Sequence, residues 1–549
     1  MFHLPTPIKF SKTFLLVLIP IVFFLFLACF KIKYPGMQFD EIIFGNAAWG
    51  MIDGSFVSSK IGRFPLYIVP YTGALKAYFF YPIFKLFGAS VFSIRIPLIL
   101  LGAGALFLNF WAFKKFAGRK IAFFTVLILS VDPSFINFMR QDVGPTVIEY
   151  FLKSLILLSL VIFLQKGKLK NLIFILFLAF LGVFNKLNFI WLINSLFFGV
   201  LICYFPVLKN KFQNISQKKQ VKILSWSFLG YFSLAGFFLL VSYFNNLFGS
   251  LAFSTLPQKI SFIFWRFREL VIGNAFYNYA MGDLASPLDF WYLIFVLTII
   301  AIGLLLVFLQ RKKIKVFHLA TFGFFLFVPI TLFAQIVLTK EATAPWHVFT
   351  LYPFFTFLLV FSLSLTSRFV FLKSKNNQLI FYLAILAVFC FQIGKDFVYI
   401  KAYDTQTKNV AWSSAIYELS EYTKQSSAQF VSADWGIHNQ ILVFYGKSGK
   451  YEEMSFKLQN PKLFTPEDIK RFNQIFLRPE NNFLFITHSD ENSIFSEAKK
   501  NLFQIAKEEN ISLKLIKTIS DGDKVIFEIY EPKSLERPEI YALSGISNF

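Results

Sequence analysis

The chain has 549 residues, of which 56% are apolar, only 15% are charged and 78 are phenylalanine. Soluble domains average about 25% charged residues, and disordered chains are poor in aromatics, so a string of soluble domains and a disordered chain are both excluded. The formal net charge of +23 is no nucleic-acid signature: residues 1–398 hold 36 Lys and Arg against 11 Asp and Glu, whereas residues 399–549 hold 18 against 20.

The basicity therefore belongs to the apolar part, where short cytoplasmic loops collect Lys and Arg. Spanning the hydrocarbon core takes about 20 residues of helix. The apolar runs predict spans at 13–30, 92–113, 120–136, 146–164, 171–185, 189–205, 223–244, 290–309, 316–338, 346–366 and 379–398. The fifth and sixth are short and nearly continuous. This describes a polytopic α-helical membrane protein of about 11 transmembrane helices, residues 1–398, followed by a soluble domain, residues 399–549. Cys29, Cys203 and Cys390 all lie in apolar runs, so neither a disulfide framework nor a zinc site is expected.

The first span follows Lys9 and Lys12 but ends Ala28-Cys29-Phe30-Lys31 without a small-residue cleavage site, and it is expected to stay as an uncleaved anchor. Six connecting segments carry Lys and Arg and no acid, among them 114–120, 166–170, 209–222 and 311–315. The positive-inside rule makes them cytoplasmic, which puts the N-terminus inside and the C-terminal domain outside; the plasma membrane is the expected location. All eleven acidic residues of the membrane part then fall in external segments or at external span ends. A transporter or flippase for lipid-linked sugars would carry carboxylates in mid-membrane and paired repeats. A polysaccharide ligase would lean on external arginines and a large late loop. An external acidic site instead favours an enzyme at the outer membrane surface.

The first external loop places Asp40 and Glu41 ten residues past the first span. Asp40 reads equally as the cap of a helix starting at Glu41. Residues 76–87, aromatic with Lys76 and Lys85, read as an amphipathic segment lying on headgroups. In the second loop, Asp132-Pro133 ends the third span, and Arg140 with Asp142 reads either as site residues or as a neutralising surface pair. Lys186 lies between the fifth and sixth spans, where it either snorkels or meets a lipid phosphate. The loop 245–289 holds Arg266, Arg268, Glu269 and a run from Asn274 to Asp283 whose amides and aromatics suit a sugar. His347 and Tyr352 stand at the top of the tenth span.

The soluble domain reads as a small α/β fold. Strands are predicted at 428–433 and 482–487, a helix at 494–509, and a closing hairpin of 513–519 with 524–530 around Asp521-Gly522. Asp434-Trp435-Gly436-Ile437-His438 follows the first strand, as a turn with ordinary packing or as a contact for an acceptor glycan.

Taken in order, Phe39-Asp40-Glu41 after the anchor, Leu86-Phe-Gly-Ala-Ser90 leading to Arg95-Ile-Pro97, Ser134 to Asp142, and Asn185-Lys186 resemble the GT-C glycosyltransferases. The similarity is to the protein O-mannosyltransferase and lipid A aminoarabinose-transferase group, over roughly residues 12–365. Trp346-His347 stands where that group often has Arg-Tyr, and Asp132-Pro133 where it has Ser-Pro. The resemblance implies transfer of a sugar, with inversion, from a polyprenyl-phosphate donor to a hydroxyl outside the membrane. It implies Asp40 as base, Glu41 positioning acceptor or base, and Asp142 stabilising an oxocarbenium-like transition state. Arg140, Lys186, His347 and Tyr352 would bind the lipid phosphate or sugar. No cofactor is implied with certainty; Asp40, Glu41 and Asp142 are suitable oxygen ligands for a divalent metal, but their spacing fixes none.

Overall fold

The computed structural model describes residues 12–53, 59–62, 64–212, 216–244, 256–282, 286–370, 377–403, 409–445 and 451–534. Two compact units emerge, Met1–Pro35 with Ala47–Asn409, and Gly36–Asn46 with Val410–Phe549. Asp283, part of the expected sugar-lining run, lies outside the described residues.

The chain begins with α1 (Lys12–Cys29) and α2 (Phe39–Asp53), the latter divided between the units at residue 46. A small antiparallel sheet follows, β1 (Ser59–Ile61), β2 (Phe64–Val69) and β3 (Thr72–Gly73). Then come α3 (Leu75–Phe87), α4 (Val91–Ala117), α5 (Arg119–Ser130), α6 (Pro133–Arg140), α7 (Thr146–Lys166), α8 (Leu169–Asn185) and α9 (Phe189–Cys203). The membrane unit continues through α10 (Phe205–Phe212), α11 (Gln217–Phe244), α12 (Leu256–Val271), α13 (Tyr277–Ala280) and α14 (Pro287–Leu309). It closes with α15 (Val316–Leu338), α16 (Pro345–Val348), α17 (Phe354–Phe369) and α18 (Asn377–Ala402).

Seven of these segments are long and apolar enough to cross a membrane: α4, α7, α11, α14, α15, the α16–α17 run and α18. The pair α5 and α6, bent by 66°, makes an eighth span if counted together, and α1, α8 and α9 are shorter apolar helices. Ten of the eleven predicted spans thus fall on an apolar helix or helical run, and the third, 120–136, falls across the bent α5–α6 pair. This is a multi-pass membrane protein.

Local chemistry explains the breaks. Gly88, at φ 69°, ends α3, and Ser90 then starts α4 through a reciprocal capping box with Ser93. At the α5–α6 bend the Asp132 carboxylate accepts from the Phe135 amide at 2.9 Å, with Pro133 in the first turn of α6, as the Asp-Pro pair predicted. The centre of the bundle is aromatic. Phe325 of α15 stacks on Phe357 of α17 at 3.9 Å, and Phe113 of α4 meets the same Phe357 ring at 4.9 Å. In lipid, such contact packing holds helices together where a hydrophobic drive between them is missing.

In the second unit, β4 (Gln429–Ser432), β5 (Tyr451–Glu453), β6 (Phe483–His488), β7 (Ile511–Asp521) and β8 (Lys524–Ser534) form one sheet in the order β5-β4-β6-β8-β7. The β5-β4-β6 part is parallel and the β6-β8-β7 part antiparallel. The β7–β8 hairpin closes at Asp521 opposite Lys524, on the predicted turn. Successive strand residues point to opposite faces. Phe430 and Ile486 accordingly join one core with Ile416 and Leu419 of a helix α19 (Ala415–Gln425), while Val431 and Phe485 join the other with Leu502 of the helix Ala498–Glu508. A helix α20 (Ile437–Tyr445) follows β4 directly.

Candidate functional site

Lys186 caps the end of α8 in extended backbone and is buried, so it does not snorkel. A cation suits the negative end of a helix. Around the α8–α9 turn, several buried polar atoms have no hydrogen-bond partner among the described residues: the Oδ1 of Asn185, both amide atoms of Asn188, and the Nδ1 of His347. Trp191, one turn beyond Asn188, lies 6.0 Å from the His347 ring, and Lys186 is an electrostatic neighbour of that imidazole. Buried polar groups are almost always satisfied in folded proteins, so this local set beside a buried cation calls for ordered water or a polar ligand. Glu149, in the first turn of α7, has Lys186, Lys153 and Asp142 as its charged neighbours.

Lys76 departs from its predicted place on the headgroups. It is fully buried, and its ammonium meets the Asp142 carboxylate at 2.9 Å, the Asp142 carbonyl at 2.8 Å and the Gly144 carbonyl at 3.0 Å. The β2–β3 turn and the start of α3 carry it inward, leaving Leu86 and Phe87 at the far end of α3 exposed. Asp142 also accepts from the Val147 amide at 2.7 Å, so it tethers the start of α7. Arg140 is equally buried. It donates to the carbonyls of Phe30 (2.8 Å), Lys31 and Tyr34, with its guanidinium 4.7 Å from the Tyr403 ring centre. Arg95 adds a bond to the Ile32 carbonyl at 2.6 Å. Arg140 and Asp142 are therefore no solvent-exposed neutralising pair; each is engaged with its own partners in the interior. Tyr352 is buried too, donating to the Leu270 carbonyl at 3.2 Å and lying against the Asp132 carboxylate.

Asp40 and Glu41 belong to the second unit and stand in the first turn of α2. Asp40 is not the cap of this helix. Gln38 holds that position, its side chain accepting from the Asp40 amide at 2.7 Å and its carbonyl from the Glu41 amide at 3.1 Å. The Asp40 side chain is half-buried and that of Glu41 fully buried.

In the same unit, Asp434 is structural. Its carboxylate takes His488 at 2.8 Å and the amides of Trp435, Ile494 and Phe495 at 2.7–3.0 Å. Burial would raise this carboxyl, but the bond and charge of His488 and the two loop amides outweigh burial and hold it below the usual range. His438 sits 3.8 Å from Glu453. Burial pushes the imidazole down to about 4 against a bond to the Tyr451 backbone. Burial also pushes Glu453 up to about 7, overcoming two bonds from Ser455. Among the described residues, no group of three or more His, Cys, Asp or Glu is placed to hold a metal ion.

Lys76, Asn188 and Glu149 carry geometry that the linear pattern did not single out as site features. The one available signal was their position beside Asp142 and Lys186 at the same ends of successive spans.

Residues 73–224 match the family model for dolichyl-phosphate-mannose-protein mannosyltransferase. The chain is similar to the crystal structure of ArnT from Cupriavidus metallidurans bound to undecaprenyl phosphate, with TM-score 0.54 and 12% identity over 94% of this chain and 97% of that one. The chain has the GT-C fold. Two structures of the oligosaccharyltransferase from Archaeoglobus fulgidus are also similar to this GT-C chain, each with TM-score 0.50. One is AglB in complex with an inhibitory peptide and a dolichol-phosphate (11% identity, 97% of this chain and 76% of that one). The other is the apo form (9% identity, 94% and 75%). No curated protein matches the chain in sequence. The matched segment contains Lys76, Arg95, Arg140, Asp142 and Lys186.

Proposed function

We propose that this GT-C chain transfers a sugar from a polyprenyl-phosphate donor to a hydroxyl outside the plasma membrane, with inversion at the anomeric carbon. The observation that carries the donor class is buried Lys186 beside half-buried Asn188 and His347, whose inward polar atoms have no hydrogen-bond partner among the described residues. A lipid phosphate supplies acceptor oxygens for Lys186 and Asn188, and its isoprenoid tail stays in the bilayer. ArnT, of similar fold, is described with undecaprenyl phosphate and AglB with a dolichol-phosphate, which supports the same class of carrier here.

The acceptor oxygen attacks the anomeric carbon as the bond from that carbon to the phosphate oxygen breaks. The hydroxyl proton goes to the Asp40 carboxylate, and the polyprenyl phosphate leaves as an anion. Glu41 orients base or acceptor. Lys186 and His347 stabilise the leaving phosphate, and Asp142 the developing positive charge on the sugar. Arg140 and Tyr352 support this set through the loop and helix they brace. No step is routed through a metal. The C-terminal unit is assigned to the outer face.

The test is purified protein in lipid nanodiscs with a panel of radiolabelled polyprenyl-phosphate sugars, alongside Asp40→Asn. Turnover by the parent and none by the variant is expected. Undiminished transfer by correctly folded Asp40→Asn removes the base assignment. For orientation, a lysine reagent applied outside intact cells should label Lys447 and not Lys312; the reverse pattern inverts the topology.

A further inference from the structure

Asp40 and Glu41 lie in the short segment 36–46, which packs with the C-terminal unit. The segment is tied to residues beyond 409 at two places, the turn before α19 and the start of α20 with the turn that leads into it. The Gly36 amide donates to the Trp412 carbonyl at 2.7 Å. The approach is so close that a Cβ on Gly36 would stand 2.0 Å from the Ser413 carbonyl oxygen, which excludes any side chain there. The buried Gln440 amide donates to the Met37 carbonyl at 2.7 Å and to the Ala411 carbonyl at 3.2 Å, bridging the two strands of chain. Phe39 lies against Trp435 with ring centres 4.6 Å apart. Beyond the acidic pair, Asn46 donates to the Asn439 carbonyl at 2.9 Å and to its side-chain oxygen at 3.1 Å.

We propose that the C-terminal unit sets the catalytic geometry: Gln440, Trp435 and Asn439 are positioning residues that fix Asp40 by clamping residues 36–39 and 46 on either side of it. The inference rests on Asp40 being the base. Asp40 itself sits in the first turn of a helix, where backbone is otherwise free to fray, and the clamp removes that freedom at both ends. A base misplaced by about 1 Å loses about 100-fold in rate, so the clamp acts on turnover and not on donor binding. It also explains the sequence 434–438, whose Asp434 ties the adjoining loop while Trp435 faces Phe39.

The experiment uses the full chain in nanodiscs, with Gln440→Ala, Asn46→Ala, Trp435→Ala and Trp435→Phe. Hydrogen exchange by mass spectrometry is expected to speed up in 36–46 while β4 and β6 keep their protection. Turnover should fall about 10- to 100-fold with KM for the lipid-linked donor within about twofold. Trp435→Phe, which keeps a ring against Phe39, recovers most of the loss of Trp435→Ala. Adding Gln440→Ala to Asp40→Asn should remove nothing further. If Asp40→Asn abolishes transfer but Gln440→Ala and Asn46→Ala leave both kcat and exchange unchanged, positioning by this unit is wrong and the base assignment stands. If Asp40→Asn keeps its turnover the base assignment is wrong, while the exchange data still decide whether the clamp exists. Should Gln440→Ala fail to fold, Asn46→Ala and the Trp435 pair give the same readings.

Discussion

Replacing Lys76 by Met tests whether the buried pair with Asp142 organises the start of α7. The ammonium donates to the Asp142 and Gly144 carbonyls at 2.8 and 3.0 Å and stands 2.9 Å from the Asp142 carboxylate as an ion pair. Both side chains are fully buried. Methionine fills a similar volume but takes the ammonium from the carboxylate, which keeps its bond from the Val147 amide, and strips two carbonyls of a donor. Breaking one side of a buried ion pair costs about 3–5 kcal/mol, a large part of the roughly 5–15 kcal/mol that holds a typical protein folded. Asp142→Asn keeps an oxygen for the Val147 amide but strands the ammonium, at a comparable cost. The double variant Lys76→Met/Asp142→Asn removes both charges, and its cost should fall to about 1–2 kcal/mol, one or two ordinary hydrogen bonds. Unfolding of the four proteins in mixed detergent micelles, followed by tryptophan fluorescence, gives the coupling. Single variants that add to within about 0.5 kcal/mol would show no coupling and refute the pairing.

Lys186→Met should raise KM for a polyprenyl-phosphate sugar about tenfold or more, the value of a charged hydrogen bond, with thermal stability little changed; an unaltered KM removes Lys186 from the donor site. In the C-terminal unit, His438 and Glu453 should give opposite pH dependences. With its folded pKa lowered to about 4, His438 withdraws stability as pH falls from its ordinary range toward 4; with its folded pKa raised to about 7, Glu453 withdraws stability as pH rises toward 7. The parent should therefore be nearly level between, Glu453→Gln should lose protection toward acid, and His438→Gln toward neutrality, as read by hydrogen exchange of β5 and α20. Level profiles in both variants would refute the opposed pair. Asp434→Asn should cost about 2–3 kcal/mol, because a charge-assisted bond to His488 and the amides at 494 and 495 share that one carboxylate; local exchange at 489–495 checks it.

Much of the fold was legible in the sequence because it follows from local, periodic chemistry. Apolar runs marked the spans, Asp132-Pro133 marked a helix break, and Asp521-Gly522 marked the hairpin turn. The candidate site was legible only as a list of residue types near one end of the spans. Lys76 looked like a headgroup lysine because aromatic neighbours on an amphipathic helix read the same whether they face lipid or a protein interior. Its carboxylate partner lies 66 positions away, at a distance no pattern encodes. Asp40 reads equally as a cap and as a site residue because Asp is common in both places, and it is Gln38 that holds the cap. The sharing of residues 36–46 with the last quarter of the chain depends on contacts across 393 positions, which composition and periodicity do not record.

The span of those contacts has a consequence for biosynthesis. Residues 36–46 leave the ribosome early, but Ala411, Trp412, Trp435, Asn439 and Gln440 emerge only after the whole membrane bundle has been made. Until then the acidic pair has none of its long-range anchors, and closing so large a loop is the slow, late event of folding. A polypeptide cut short before residue 410 would insert its helices and still lack them. Ordering of the acidic segment by these contacts is in this way withheld until translation is nearly finished.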